Sequence, residues 1–273
     1  MKGMTLGQYY PGNSLIHRLD PRAKIILGIL AIVCTFLCKT LFSFCLLFVL
    51  TLVLILLSRI PLRLILRSLR PILFILLFTS VINVFMTKGE HLLVEYWVFH
   101  IYEEGLWNAL FMVIRITSLI VMTGIFLTFT TTPIALTDGL EQLLYPLKKL
   151  HIPVHDFAMM ITIALRFIPT LAEETERIMN AQRARGVDFS SGGLFKRVRS
   201  LIPILIPLFV SAFNRAFDLA SAMECRCYHG GEGRTRLKVL KYSAWDFVAM
   251  ILLVGVGVGL FFANRLTFGG MIR

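Results

Sequence analysis

Long stretches without a charged side chain constrain this chain more than any other feature. Five of them dominate, at residues 25–38, 41–58, 71–87, 116–137 and 247–264. A helix satisfies its own backbone hydrogen bonds and crosses the hydrocarbon core of a bilayer in about 20 mostly apolar residues, within a range of roughly 17–25. Four of the five reach that range; 25–38 falls short, and Lys24 and Lys39 at its ends are expected to snorkel toward the two interfaces. Composition agrees. Hydrophobic residues make up 57% of the 273 and charged residues 16%, against about 45–50% and 25% in soluble domains. A soluble enzyme is thereby excluded, and the fold class expected is an all-α membrane protein. A polar stretch precedes the first run and no small-residue cleavage site follows it, so a cleaved signal peptide is not expected.

The charge distribution orients the spans. Lys and Arg number 28 against 16 Asp and Glu, a net charge of +12. Lys2, Arg18, Arg22 and Lys24 precede the first run, Arg59, Arg63, Arg67 and Arg70 separate the second from the third, and fifteen basic residues lie between Lys148 and Lys241. Lys39, Lys88, Arg265 and Arg273 fall on the other side, with Arg115 at the external end of the fourth run. Excess positive charge marks cytoplasmic loops, so the N-terminus and the long segment before the last run are expected in the cytosol. The 88–104 stretch reads as an external interfacial segment. The row Arg59, Arg63, Arg67, Arg70 has helical spacing suited to anionic lipid heads. Cys34, Cys38 and Cys45 sit in apolar runs as small hydrophobes, and Cys225 and Cys227 are expected to be cytosolic and reduced. The resulting division is a cytosolic segment 1–23, four transmembrane helices in 24–132, a cytoplasmic region 133–242 and a fifth transmembrane helix in 243–266.

Residues 133–242 are too long for a connector and too apolar for disorder. Helical patterns cover 133–150, 156–186 and 195–228. The apolar centres of the last two are short and interrupted by Pro169, Pro203 and Pro207. Apolar runs of that size read as buried or interfacial helices rather than spans. Two long helices lying along the cytoplasmic leaflet are therefore expected, apolar faces toward the lipid. Both end alike. The first closes on Arg183, Ala184, Arg185 and Gly186, the second on Glu224, Cys225, Arg226 and Cys227, with Gly230 following. Glycine and arginine suit helix C-termini on general grounds, but two such ends on consecutive helices suggest a paired docking device. Small neighbours let a partner's backbone approach, and the guanidinium supplies several directed donors.

These ends resemble the paired Ala-Arg-Gly motifs of the transmembrane T component of energy-coupling factor (ECF) transporters. The opening Tyr10-Pro11-Gly12-Asn13-Ser14 and His17-Arg18-Leu19-Asp20-Pro21-Arg22-Ala23-Lys24 also resembles that family, as does Ala220-Ser221-Ala222-Met223-Glu224 before the second motif. The resemblance implies a non-catalytic scaffold in the cell membrane. It joins two ABC-type ATPase subunits to a substrate-binding membrane S component that delivers a vitamin, another micronutrient or a metal ion. Arg185 and Arg226 then dock the ATPases, Ala184, Gly186, Cys225 and Cys227 give steric access, and Arg183, Glu224, Pro169, Pro203 and Pro207 support the coupling helices. ATP and magnesium belong to the partner subunits; the chain itself binds no cofactor or metal, and no nucleic acid. Cys-Arg-Cys departs from the motif. If the second end requires a left-handed residue, cysteine supplies it poorly, and Gly230 is the expected helix stop.

Other readings are weaker. The Cys225-x-Cys227-x-His229 spacing is short for zinc and has no second cluster. His151 and His155 flank Pro153 and lack a metalloprotease pattern. There is no P-loop for ATP and no Gly-x-Ser-x-Gly elbow. Gly255, Gly257 and Gly259 give a Gly-x-x-x-Gly spacing that predicts close helix packing. An intramembrane enzyme using Cys225, Cys227 and His229, or a self-contained channel or carrier, are the alternatives from other functional classes.

Overall fold

Asp20 begins the first helix by accepting a hydrogen bond from the Arg22 amide at 2.9 Å, with Pro21 as the first helical residue, where its missing N–H is harmless. The computed structural model describes residues 9–87, 92–96, 99–150, 153–187, 189, 193–230 and 239–266. Lys2, Lys88, His151 and Arg273, each read above, lie outside the described residues. The helices are α1 (Pro21–Leu37), α2 (Leu41–Ser58), α3 (Leu62–Met86), α4 (Glu103–Thr123), α5 (Pro133–Leu144), α6 (Val154–Ala184), α7 (Leu194–Glu224) and α8 (Ala244–Leu266). A short antiparallel ribbon, β1 (Leu92–Tyr96) and β2 (Phe99–Tyr102), joins α3 to α4 with Val94 opposite Ile101 and Tyr96 opposite Phe99. The protein is an all-α membrane protein apart from this ribbon, which falls in the 88–104 segment.

The chain divides into two units. One holds α1 to α5 and α8, the other α6 and α7, with the division at Leu143 and after Val239. In the first unit α1 is central. Ala23, Leu27, Ala31, Cys34 and Cys38 form a buried stripe at helical spacing, joined by Phe44 and Leu47 of α2, Met122 of α4 and Leu260 of α8. The opposite faces are apolar and exposed, as at Leu56, Phe74 and Ile251, which suits contact with lipid rather than water. Among the described residues, six helical segments are long and apolar enough to cross a membrane: Leu41–Ser58, Leu62–Met86, Glu103–Phe129, Val154–Ala184, Val198–Glu224 and Ala244–Asn264. α6 and α7 therefore have the length and composition of spans.

Four expectations are corrected. First, Lys24 does not snorkel. Its side chain is 2% exposed, and Nζ donates to Thr130 O at 2.8 Å and His17 O at 3.2 Å. An ammonium with two carbonyls to hand satisfies itself inside the protein. Second, residues 116–137 are not one span. α4 begins at Glu103, continues as a π-turn over Gly124–Phe129, and stops before Pro133 starts α5. Thr130 Oγ1 donates to Ile125 O at 2.8 Å and Thr131 Oγ1 to Phe126 O at 2.8 Å, local bonds that compete with helix continuation, and the residue before a proline is driven out of the helical region.

Third, the basic row has the helical form its spacing predicts but does not lie wholly between the second and third spans, because the third helix begins at Leu62. Arg63, Arg67 and Arg70 lie exposed on α3, which runs through Pro71. Fourth, the glycine pattern of α8 packs through its middle member. A Cβ on Gly257 would lie 3.1 Å from Cys34 Sγ of α1, whereas Gly255 and Gly259 have nothing within 4 Å. The Gly-x-x-x-Gly pair itself faces open space.

Polar pairs lock both ends of the α1–α8 contact. At one end Asp246, fully buried, accepts from the Asp20 amide at 2.8 Å and the Ser243 amide at 2.6 Å. Beside it Arg22 pairs with Asp20 at 3.1 Å and lies 4.0 Å over the Tyr242 ring. At the other end Asn264 Nδ2 donates to Leu37 O and its Oδ1 accepts from Ser43 at 2.8 Å. Arg115 donates to Cys38 O at 2.9 Å and lies 5.2 Å over Phe44. An intramembrane arginine thus caps the carbonyl end of α1, where orphan acceptors need donors. Asn83 donates to Thr79 O in its own helix at 3.0 Å and to Met112 Sδ of α4 at 3.2 Å.

Candidate functional site: two arginine-capped helix ends

α6 and α7 are both 31 residues long. α6 is mostly apolar at its start and gains charge toward its end, whereas α7 opens with Lys196, Arg197 and Arg199, is apolar from Leu201 to Phe213 and gains charge again beyond it. α6 runs through Pro169, and α7 runs through Pro203 and Pro207 without a break; each proline removes one backbone donor from its helix. On α7 the rings of Phe209, Phe213 and Phe217 follow one another at four-residue steps, with centroids 4.6 and 6.5 Å apart. These three side chains are exposed, as are Phe157, Met160 and Ile161 on α6.

The two helices stop by the same device. At the end of α6, the Gly186 amide donates to Arg183 O at 2.9 Å and the Val187 amide to Gln182 O at 3.1 Å. At the end of α7, the Cys227 amide donates to Glu224 O at 2.9 Å and the Tyr228 amide to Met223 O at 3.0 Å. This pair of bonds, from the second residue past the helix and from the one before it, is the Schellman motif, and it requires a left-handed residue at its centre. Gly186 has φ +87° and Cys227 has φ +55°. Arg185 and Arg226 occupy the position just before the left-handed residue in each motif.

The expected stop at Gly230 is therefore corrected. Gly230 does have φ +95°, but the helix has already ended, and Cys227 takes the conformation that glycine takes at the other end. An L-residue there carries about 1–2 kcal/mol of steric strain. The two bonds of the motif offset part of it by satisfying carbonyls that would otherwise lack donors.

Ala184, Arg185 and Gly186 are exposed, as are Cys225, Arg226 and Cys227. Neither the Arg185 nor the Arg226 guanidinium has a hydrogen-bond or ion-pair partner among the described residues. Each presents its planar set of donors outward, flanked by small side chains. A Cβ on Gly186 would meet nothing within 4 Å, so the space beside the first arginine is open. Arg183 is held on the helix surface, its Nη1 3.4 Å from Asn180 Oδ1 and its guanidinium 6.0 Å from the Phe189 ring centroid. Glu224 contributes its backbone carbonyl to the second motif and leaves its carboxylate exposed. The expected residues thus form two separate ends, three residues each. Among the described residues, no group of three or more His, Cys, Asp or Glu is placed to hold a metal ion.

Two features of this unit escaped the sequence reading. One is the left-handed Cys227. The other is an ion pair between the helices, Arg215 Nη2 donating to Glu174 Oε2 at 2.7 Å. Its signal was present: Glu174 and Arg215 are 41 residues apart, and so are Arg185 and Arg226.

Comparison with known proteins gives a consistent picture. The family model described as CbiQ, cobalt transport protein, matches residues 12–237. The energy-coupling factor transporter transmembrane protein EcfT of Ruminiclostridium cellulolyticum is 50% identical over 259 residues, 94% of each chain. The protein of the same name from Bacillus subtilis is 47% identical over 262 residues, covering 96% of this chain and 98% of its own. That of Lactococcus lactis is 46% identical over 254 residues, covering 93% and 95%.

Proposed function

The chain belongs to the CbiQ family as a transmembrane component of an energy-coupling factor transporter, and on that premise we propose that its two arginine-capped helix ends are docking points for two ABC-type ATPase subunits. It is a multi-pass, non-catalytic subunit; ATP hydrolysis is done by partner ATPases. The observation that carries the docking reading is the repetition of one terminal geometry. A helix end needs only one adequate stop, and many are available. Here the same stop is built twice, once with strained cysteine, and each time it leaves outward, between small residues, an arginine with no partner among the described residues.

In this reading Arg185 inserts into one ATPase and Arg226 into the other, each guanidinium meeting carbonyl or carboxylate acceptors in a groove. Ala184, Gly186, Cys225 and Cys227 allow the groove walls to close on the helix end. The ATPases bind ATP and magnesium. Their motion passes through α6 and α7 to a substrate-binding S component, whose cargo is a vitamin, another micronutrient or a metal ion. The exposed apolar faces of α6 and α7 meet the leaflet or that partner. The N-terminus and residues 133–242 face the cytoplasm of a cell whose plasma membrane holds the complex, consistent with the basic residues gathered there.

The test is R185E together with R226E in the tagged chain, purified with its partners in mild detergent. The double variant is expected to lose both ATPase subunits and all ATP-driven transport. Retention of both subunits and full transport would defeat the docking reading.

A further inference from the structure

Glu174 and Arg215 are joined across α6 and α7 at 2.7 Å, and they hold equivalent positions relative to two helix ends of the same geometry. The 41 residues that separate them also separate Arg185 from Arg226, Gly186 from Cys227 and Val187 from Tyr228. In a two-fold arrangement, a residue that touches its own counterpart lies at the axis. Here the counterparts carry opposite charges, so the meeting that would repel between identical residues attracts. Each member stands eleven residues before its docking arginine, about three turns or 16 Å along the helix. An antiparallel hairpin pairs residues equidistant from the connecting turn. Glu174 and Arg215 are instead equidistant from the two C-terminal ends, which makes α6 and α7 a crossed pair with two arms of equal length.

We infer that the Glu174–Arg215 ion pair is a positioning pair: it pins the crossing point and so sets the separation and mutual orientation of the two docking ends. Both members are partly exposed, 28% for Glu174 and 38% for Arg215, and such pairs add little to stability. The contribution is geometric. A slip of one helix along the other by one turn would move one arginine about 5 Å relative to its counterpart, and a charge pair at the crossing opposes that slip because it has a single favourable register. Two ATPase subunits docked on the two ends are thereby held in one mutual arrangement, the one in which they hydrolyse ATP together. This inference rests on the docking reading above.

The experiment uses the complete complex of the chain with its co-purified ATPases and membrane partner in lipid nanodiscs. ATPase subunits per chain are counted by native mass spectrometry, and hydrolysis is measured with magnesium ATP. R215E and E174R are each expected to keep both ATPase subunits while hydrolysis falls roughly threefold or more, the scale of coupling between contacting residues. The reversed pair E174R/R215E is expected to restore hydrolysis, a recovery that loss of simple packing would not show. Unchanged hydrolysis in both single variants overturns the inference, as does a double variant that recovers nothing. If a single variant fails to assemble, the reversed pair decides by the same criterion. If R185E/R226E keeps both ATPase subunits, the docking reading falls, and the positioning role falls with it. If that variant loses them while R215E hydrolyses normally, only the positioning role is lost.

Discussion

Cys227 adopts the left-handed conformation that Gly186 adopts at the equivalent point 41 residues earlier, with φ +55° against +87°. Both close a Schellman motif immediately after an exposed arginine. Glycine does this without steric penalty, whereas cysteine places its Cβ against the backbone. Terminal geometry has therefore been kept at the second end in spite of the side chain.

Replacing Cys227 with glycine should relax that strain. The variant is expected to stabilise the end of α7 by up to about 1 kcal/mol, and valine to destabilise it by at least as much. Hydrogen exchange at the Cys227 and Tyr228 amides reports it directly. Slower exchange in Cys227→Gly and faster exchange in Cys227→Val are the expected results; equal rates in all three forms would show that the backbone is not strained.

Docking at two ends predicts independence. R185E alone should cost one ATPase subunit and R226E alone the other, each leaving an incomplete complex. Native mass spectrometry of the single variants distinguishes this from a cooperative site, in which either substitution removes both subunits.

Asp246 satisfies two backbone amides, at Asp20 and Ser243, from a fully buried position. Asp246→Ala orphans both, at about 1–3 kcal/mol for each buried donor. Thermal unfolding of the detergent-solubilised chain should show a clear fall in Tm, and an unchanged Tm would mean that water or another acceptor takes over.

Close packing of α8 on α1 passes through Gly257. Gly257→Val should overpack against Cys34 and destabilise by about 1–3 kcal/mol, while Gly259→Ala, into open space, should be close to neutral. Equal effects at the two positions would argue that the Gly-x-x-x-Gly spacing, rather than this single approach, organises the contact.

Orientation is open to chemical labelling. Cys225 and Cys227 are exposed, whereas Cys34 and Cys38 are buried. Cys45 of α2 is the other exposed cysteine, so in a Cys45→Ala background a membrane-impermeant maleimide should label the chain in inside-out vesicles and leave right-side-out vesicles unlabelled. Labelling from the outside would reverse the proposed topology.

Much of this was legible in the sequence, and the legible parts share a cause. Apolar runs at 41–58 and 247–264 became α2 and α8 because a bilayer leaves a long apolar segment one way to satisfy its backbone. The repeated arginine ends were legible because they are contiguous motifs, and the resemblance they carried agrees with the family match across residues 12–237. Expectations failed where one residue's environment is built by distant ones. Nothing near Lys24 in the chain announces Thr130 O as its acceptor, 106 residues away. The run 116–137 looked continuous because hydropathy does not register threonine hydroxyls competing for helix carbonyls.

By itself, then, the sequence determined the membrane environment, the helical class, the two arginine-ended helices and the family, all of which follow from local composition and short contiguous patterns. Only the tertiary structure decided that Lys24 turns inward, that Gly257 rather than its neighbours meets α1, that Cys227 is left-handed, and that Glu174 meets Arg215. Each of those depends on a partner supplied by another segment or on a backbone angle that no single residue type imposes. Such choices are settled by packing, where burial of a polar group is tolerated only if its partner arrives with it.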